Sequence, residues 1–189
     1  MTIFETERLM IRRPVSSDFD NFITIRNSEP FLNYNPMPEL TEDAAREELE
    51  HLIKEETMYA ICLKDDTMIG MMDAFHDSLR YNVNSQMISY NMNEAFTGKG
   101  YMQEALVGLI SHLFENGTDI ISARVFKGNV ASKHLLEKVG FIHEGTLRHC
   151  VKGNHDIIHD DWIFSLMKED WTISDDHSSL LKEQQHEIS

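Results

Sequence analysis

The feature that most constrains the fold is a pair of glycines between an apolar segment and an amphipathic one. Residues 87–92 are apolar-rich and partly alternating, which predicts a strand. Gly98 and Gly100 follow, and apolar residues then recur at helical spacing, at Ala105, Leu106, Leu109, Ile110 and Leu113. Such a loop turns sharply and presents backbone N–H groups at the positive end of a helix, where an anion such as a pyrophosphate binds. An ordinary strand-to-helix turn has the same pattern, so the loop alone leaves both interpretations open.

Length and composition predict one domain. The 189 residues are 41% hydrophobic, which is sufficient for a sizeable core, and we expect the domain to span residues 1–171. Residues 172–189 are polar and are expected to form a flexible C-terminal tail. No apolar run reaches the roughly 20 residues of a membrane span. The first residues lack the basic and apolar regions of a secretion signal, which favours a cytoplasmic location.

The net charge and the spacing of histidines and cysteines argue against some classes of function. The formal net charge of -15 argues against a nucleic-acid partner, which needs clustered Lys and Arg, and weakly favours a cationic one. No metal site is expected, because the histidines are scattered and the closest pair, His155 and His159, flanks a predicted turn. Cys62 lies in an apolar run and is predicted to be a buried thiol, without a disulfide to Cys150.

Periodicity along the rest of the chain predicts a mixed sheet with helices. The predicted elements are a strand over 4–14, a helix over 18–27 capped by Ser16 or Ser17, a helix over 41–56 capped by Thr41, strands over 58–63, 68–75 and 85–92, a helix over 101–115, a strand over 119–126, a helix over 130–138, and strands over 141–150 and 157–167. A bulge is expected at Gly70. The three central strands are joined by short turns and are therefore antiparallel, whereas the crossover through the helix after the glycine loop favours a parallel pair.

The proline-rich segment 30–38 carries three large apolar side chains, Phe31, Tyr34 and Met37. They can line a substrate cleft or fold back over the core. We favour the core, because large apolar side chains usually bury.

This order of elements resembles the GNAT superfamily of N-acetyltransferases. The segments that carry the resemblance are Glu5-Thr6-Glu7-Arg8-Leu9-Met10-Ile11-Arg12, Gly98-Lys99-Gly100-Tyr101-Met102-Gln103-Glu104-Ala105, Asn129-Val130-Ala131-Ser132, Leu136-Glu137-Lys138-Val139-Gly140-Phe141, Glu144-Gly145 with Arg148, and Phe164-Ser165-Leu166. They are most similar to the ribosomal-protein N-terminal acetyltransferase, or Rim-type, branch. The resemblance covers about residues 3 to 171. It implies an α/β (α+β) fold with a mixed, mostly antiparallel sheet flanked by helices and a splayed strand pair that holds acetyl-CoA.

The resemblance also implies acetyl-CoA as the donor, a primary amine as the acceptor, and no metal. The CoA pyrophosphate would lie on the N–H groups of the glycine loop and the pantetheine in the gap between the splayed strands. The implied cofactor-binding residues are Met92, Asn93, Thr97, Gly98, Lys99, Gly100, Tyr101, Met102, Gln103, Asn129 and Ser132. Two of them depart from the family pattern, since Thr97 stands where an opening Gln or Arg is usual and Met102 where a small residue is usual.

The chemistry of acetyl transfer points to two candidate catalytic residues, Asn129 and Ser132. An α-amine, with a pKa near 7.7–8.0, must lose a proton before it attacks a thioester, and the leaving thiolate needs an acid. Ser132 is the candidate acid, one helical turn after Asn129. In the alternative interpretation Asn129 is only a helix cap and Ser132 a surface residue.

The general base is unassigned. The family's usual tyrosine acid falls at Leu136, and the glutamate base of a serine-using branch falls at Val151. The remaining candidates for a base are Glu94, His149, His155 and an ordered water. Glu104, in the first turn of the helix after the glycine loop, is expected to be structural.

The favoured function is therefore acetyl transfer to a protein or peptide N-terminal α-amine. The alternatives are acetylation of a small amine (a polyamine, an amino acid or an aminoglycoside-like amine) and a non-catalytic CoA-binding sensor. Glu29, Asp160 and Asp161 are either contacts for a cationic acceptor or, as we expect, ordinary solvated acids. A dinucleotide-binding domain is disfavoured, because its glycines follow the first strand of a parallel unit. The sequence leaves a homodimer open.

Overall fold

The structure is a computed structural model that describes residues 1–171, so the predicted tail at 172–189 lies outside the described residues. The strands are β1 Thr2–Glu5, β2 Leu9–Arg12, β3 Met58–Leu63, β4 Met68–His76, β5 Ser85–Met92, β6 Ile120–Phe126, β7 Ile142–Lys152 and β8 Ile158–Met167. The helices are α1 Phe19–Arg26, α2 Glu29–Tyr34, α3 Glu42–Glu55, α4 Tyr101–Glu115 and α5 Val130–Lys138. Short 3₁₀ turns cover Ser16–Asp18, Glu94–Phe96, Asn154–Asp156 and Lys168–Asp170.

The strands form one eight-stranded mixed sheet in the order β1-β2-β3-β4-β5-β6-β8-β7. Only β5 and β6 are parallel among the described strands, and every other pair is antiparallel. The predicted mixed, mostly antiparallel sheet flanked by helices is therefore confirmed. Near Gly70 the register between β3 and β4 shifts, as the expected bulge requires.

The parallel pair separates after four residues. Ser85–Ile88 of β5 pair with Ile120–Ala123 of β6, and beyond Ile88 β5 stays paired only with β4. Past Ala123, β6 continues along β8. A wedge therefore opens between the two strands in front of the glycine loop, which is the splay that the sequence predicted.

The two faces of the sheet are covered by different helices. On one face Ile88 of β5 and Ala123 of β6 join the large core beneath α4, which contributes Leu106 and Leu109. On the other face α1 and α3 cover β3 and β4 in a smaller cluster of Phe19, Phe22, Ile25, Phe31, Ala45, Leu49, Met58, Ala60, Cys62, Met68 and Met71. Cys62 is a free thiol there, and burial raises its pKa to about 12, which confirms a buried and unreactive cysteine.

Two predictions at the N-terminus are wrong. The strand expected over residues 4–14 is a hairpin of β1 and β2, because the side chain of Thr6 and the backbone of Arg8 turn away to bond Glu104 of α4. Neither Ser16 nor Ser17 caps the first helix. The Asp18 carboxylate accepts from the backbone N–H of Val15 at 2.8 Å instead, and it also pairs with a buried Arg12 at 2.8 Å.

The proline-rich segment contains α2, which the sequence did not predict. Ser28 caps it, with its hydroxyl accepting from the Phe31 N–H at 3.4 Å. Phe31 is buried, as expected, but Tyr34 and Met37 are 40% and 49% exposed. The core prediction is therefore wrong for those two side chains, since Tyr34 is the last residue of α2 and Met37 lies beyond its end. Within residues 1–171 no helix is both long and apolar enough to cross a membrane.

Candidate functional site

The wedge between β5 and β6 opens into a cleft of about 520 Å³. Its walls come from α2, β5, the glycine loop, β6, the first turn of α4 and one side of α5. The predicted site residues that line it are Met92, Thr97, Gly98, Gly100, Tyr101, Met102, Gln103, Asn129 and Ser132. Asn93 and Lys99 belong to the same loop but do not line the cleft.

The glycine loop ends in a helix terminus that no side chain caps within the described residues. Gly98 and Gly100 have φ of 71° and 82°, a left-handed conformation that glycine adopts without strain. The first α4 hydrogen bond runs from the N–H of Glu104 to the carbonyl of Gly100. The N–H groups of Tyr101, Met102 and Gln103 therefore have no carbonyl within the helix to bond. Together with the helix dipole, they form a fitting site for a phosphate anion.

The shape of the loop depends on Arg8 and Glu104, and sequence reasoning assigned no role to Arg8. The buried Glu104 carboxylate accepts from the Thr6 hydroxyl at 2.6 Å and from the Arg8 Nε at 2.6 Å. The Arg8 guanidinium also donates to the Lys99 carbonyl at 3.1 Å and lies 4.6 Å from the centre of the Tyr101 ring. Glu104 is structural, as predicted, and Arg8 links it to the loop.

Asn93 and Lys99 bond within the loop itself. The Asn93 side chain accepts from the Ala95 N–H at 3.0 Å, and its backbone N–H donates to the Ile69 carbonyl at 2.9 Å. The Lys99 ammonium donates to the Ala95 carbonyl at 2.9 Å. Their observed contacts shape the turn.

The α5 side of the cleft carries two hydroxyl groups. Asn129 caps α5, because its side-chain oxygen accepts from the Ser132 N–H at 3.1 Å, and both residues lie on the cleft wall. The Tyr90 hydroxyl of β5 donates to the Ser132 carbonyl at 3.3 Å, and burial raises its pKa to about 12. Sequence reasoning missed Tyr90, although strand alternation from Ile88 could have placed it on this face. Leu136 is fully buried.

The opposite face of β5 carries a carboxyl group behind the cleft wall. Ser89 lines the cleft, and its hydroxyl donates to the Asp73 carboxylate of β4 at 2.9 Å. Burial raises the pKa of Asp73 to about 6, and the nearby Glu48 adds to that effect, while the Ser89 hydrogen bond opposes it. Sequence reasoning missed this pair, and only the register of β4 on β5 brings the two residues together.

Farther along this face lies an ion pair between an exposed arginine and a buried carboxylate. Arg124 lines the cleft and bonds Asp161 of β8 at 2.7 Å. Asp161 is buried, so its interpretation as a solvated acid is wrong, and its Oδ1 has no hydrogen-bond partner within residues 1–171. Asp160 is half-buried and accepts from the His149 N–H at 2.9 Å, which holds its pKa below the usual range, while Glu29 is exposed.

The turn between β7 and β8 ties down the α2 segment. The Asn154 side-chain amide lies 2.7 Å from the Leu32 carbonyl, 3.0 Å from the Met37 carbonyl and 3.4 Å from the Asn35 carbonyl. Asn154 therefore fixes the segment that carries Tyr34 and Asn35 of the cleft wall, and nothing in the sequence indicated that role.

The two base candidates whose side chains the structure describes, Glu94 and His149, are not on the cleft wall. The side chain of His155 lies outside what the structure describes. No group of three or more His, Cys, Asp or Glu side chains in the described residues is arranged to hold a metal ion.

Comparison with known proteins identifies the family. Residues 8–142 match the acetyltransferase (GNAT) domain, so the chain belongs to the GNAT family and is an acetyltransferase. A probable N-acetyltransferase of Bacillus subtilis (strain 168), YjcK, is 32% identical over 138 residues, which are 72% of this chain and 74% of YjcK.

Solved structures share the fold at lower identity. The ribosomal-protein-S5-alanine acetyltransferase from Vibrio fischeri has a TM-score of 0.74 at 22% identity, over 89% of this chain and 98% of that one. RimJ of Mycobacterium smegmatis, solved in complex with CoA-disulfide, has a TM-score of 0.75 at 20% identity, over 89% and 88% of the two chains. These likenesses concern the fold.

Proposed function

We propose that the chain transfers the acetyl group of acetyl-CoA to the N-terminal α-amine of a protein or peptide. The observation that carries the proposal is the wedge between β5 and β6 in front of the uncapped N-terminus of α4. A long, anionic donor with an extended thiol arm fits a strand gap that ends in free N–H groups. The RimJ relative solved with CoA-disulfide has the same fold.

The donor would be held mainly by backbone groups. The N–H groups of Tyr101, Met102 and Gln103 face a pyrophosphate without help from side chains, so the departures at Thr97 and Met102 do not remove the anion site. The exposed edge of β5 up to Met92 offers backbone partners to the pantetheine arm. Acetyl-CoA supplies the activated acyl group, as a thioester.

Protons are handled by hydroxyl groups on the α5 side. Ser132 gives a proton to the departing thiolate, and the nearby Tyr90 hydroxyl, which bonds the Ser132 carbonyl, positions that turn of α5. Asn129 holds the same turn in place through its cap. Two hydroxyls at the cleft favour turnover over a non-catalytic CoA sensor.

The acceptor would approach from the α2 side. Tyr34 and Asn35 line this part of the cleft, and Asn154 holds the segment that carries them. The fold of a ribosomal-protein-S5-alanine acetyltransferase supports a protein N-terminus as acceptor. A small polyamine is the second candidate, because Asp73 places a carboxylate behind Ser89 of the cleft wall.

The test is a product analysis with a mixed acceptor pool. The protein is incubated with acetyl-CoA and peptides with free N-termini, the same peptides with N-formyl groups, spermidine and aminoglycosides. Free thiol release gives the rate, and mass spectrometry locates the acetyl group. We expect acetylation of α-amines only and none of the N-formyl controls. Acetylated polyamine in place of peptide would move the assignment to the second candidate, and tight acetyl-CoA binding without transfer to any amine would overturn the proposal.

A further inference from the structure

The cleft has a proton donor on the α5 side, but the acceptor amine also needs a group that takes its proton. An α-amine is largely protonated at neutral pH and cannot attack until it is neutral. None of the base candidates from the sequence whose side chains are described lines the cleft. Among the described carboxylates, Asp73 bonds Ser89 of the cleft wall, and Asp161 is paired with Arg124 of the same wall.

Ser89 and Asp73 are arranged for a proton relay. The Ser89 hydroxyl donates its hydrogen to Asp73 at 2.9 Å, so the lone pairs on its oxygen are left for a donor in the cleft. The two residues are direct neighbours across β4 and β5, and their side chains share the sheet face that α2 covers. Ser89 follows Ile88, the last β5 residue paired with β6, so the relay lies where the wedge begins.

The surroundings keep Asp73 able to accept a proton near neutral pH. From β3 the apolar Met58 pairs opposite it, and from α3 Glu48 acts on it as a like charge. Arg26 of α1 is paired with Glu48 at 2.9 Å, and Arg13, which follows β2, donates to the carbonyl of Met58 at 3.1 Å. No cation bonds Asp73 directly among the described residues, in contrast to Asp161.

We infer that Ser89 and Asp73 together take the proton from the acceptor ammonium of the acetyl transfer. The ammonium N–H passes its proton to the Ser89 oxygen while the Ser89 proton moves to Asp73. The neutral nitrogen then forms the N–C bond to the acetyl carbon, the C–S bond breaks as Ser132 gives its proton to the thiolate, and the second amine proton replaces the one lost from Ser132. Asp73 releases its proton to solvent. Ser89 touches the acceptor, and Asp73 acts through Ser89.

This inference rests on the proposed function, and its test is the pH profile of kcat/KM for the acceptor. Asp73→Asn keeps the shape and an acceptor for the Ser89 hydroxyl but cannot take a proton. We expect a loss of about 10²-fold in kcat/KM at pH 7, the range of general base catalysis. The difference in kcat/KM between Asp73→Asn and the wild type should narrow at pH values above the pKa of the free amine, because the acceptor is already neutral there. The affinity for acetyl-CoA should not change. Ser89→Ala should show the same pH-dependent difference in kcat/KM from the wild type.

Two further variants separate proton transfer from structure. Glu48→Gln removes the like charge that raises the pKa of Asp73, so the acidic limb of the wild-type profile should move to lower pH. Asp77→Asn is a matched control, because buried Asp77 accepts from the Ser122 hydroxyl at 2.7 Å in the same Ser–Asp arrangement, away from the cleft wall. Asp77→Asn should lower the stability of the protein, and its ratio of kcat/KM to the wild type should not depend on pH. Ser122→Ala replaces it if the protein does not fold.

The outcomes distinguish a failure of the proton relay from a failure of the proposed function. If the wild-type protein transfers acetyl to no amine, the proposed function fails. If the wild type is active and both Asp73→Asn and Ser89→Ala keep a constant ratio to it from pH 5 to pH 10, the relay is wrong. Should Asp73→Asn not fold, Ser89→Ala decides alone.

Discussion

The two faces of β5 carry opposite chemistry within one strand. On the α4 side, Ile88 joins an apolar core and Tyr90 packs against it, and the cleft ends at an uncapped helix N-terminus. On the α2 side, Ser89 is backed by Asp73, and exposed Arg124 pairs with buried Asp161 beyond it. One face therefore offers free N–H groups and neutral hydroxyls, and the other offers carboxylates.

This difference matches two substrates of opposite charge. An anionic donor is favoured where helix dipole and backbone N–H groups point into the cleft, and a cationic amine is favoured beside carboxylates. Beyond Ile88, β5 no longer pairs with β6, so its free edge can be reached from both faces of the sheet. In the proposed reaction, the two substrates would therefore approach opposite faces of one strand and meet at the wedge.

The largest effect should come from the hydroxyls on the donor side. We expect Ser132→Ala to lower kcat by about 10²-fold, because a departing thiolate without an acid is a poor leaving group. Tyr90→Phe should lower kcat by about tenfold, since one hydrogen bond to the Ser132 carbonyl is lost. Steady-state thiol release measures kcat, and calorimetry checks that acetyl-CoA affinity is unchanged. A larger loss in Tyr90→Phe than in Ser132→Ala would transfer the acid role to Tyr90.

The next effect concerns donor affinity alone. Gly100→Ala places a Cβ on a residue with φ of 82°, 3.4 Å from the Arg8 guanidinium. A strained loop should weaken acetyl-CoA binding by about tenfold, from a left-handed penalty of about 1–2 kcal/mol. Gly117→Ala is the matched control, because Gly117 has φ of 93° at the far end of α4. Equal affinities of the two variants for acetyl-CoA would contradict an anion site at the loop.

The donor side could be predicted from the sequence because it is local. Gly98, Gly100 and the start of α4 are consecutive, and Asn129 and Ser132 lie one turn apart, so loop and helix patterns suffice. The acceptor side is assembled across the sheet. Asp73 and Ser89 are 16 residues apart, and only strand register makes them neighbours.

Errors on the acceptor side have the same physical origin. Prolines predicted a loop, but Ser28 nucleates a short helix around Pro30, and proline is tolerated in a first helical turn. Asn154 contacts the carbonyl of Leu32, 122 residues away. A contact between a turn and a distant backbone has no periodicity, so a single sequence does not reveal it.

A smaller effect should be confined to the KM for the acceptor. Asn154→Ala removes the amide that holds the carbonyls at the end of α2, so this segment should become less ordered. Loss of about 1 kcal/mol should raise the acceptor KM by about fivefold and leave acetyl-CoA affinity unchanged. Lys152→Ala is the control, since this exposed residue on the same hairpin pairs only with Asp156 among the salt bridges of the described chain. A parallel loss of acetyl-CoA affinity would show that the two sides are not independent.

The smallest effect is a gain in stability on the acceptor side. Because the pKa of Asp73 is about 6 in the folded protein and about 3.9 in an unfolded chain, the folded state binds the proton more tightly. Stability should therefore fall as pH rises from about 4 to about 6. Asp73→Asn should remove that fall and gain about 1 kcal/mol at pH 8, after a discount for partial exposure, or about 2–4 °C in Tm.

Thermal unfolding at pH 4 and pH 8 checks this sign. The difference between Asp73→Asn and the wild type should be present at pH 8 and close to zero at pH 4. Asp65→Asn provides a control of opposite sign, because the Thr67 N–H bonds the Asp65 carboxylate and lowers its pKa. That variant should be less stable at pH 8 and equal the wild type only in acid. If Asp73→Asn is less stable than the wild type at pH 8, the Asp73 carboxylate stabilises the acceptor face. The expectation that this carboxylate lowers the stability of the protein would then be wrong.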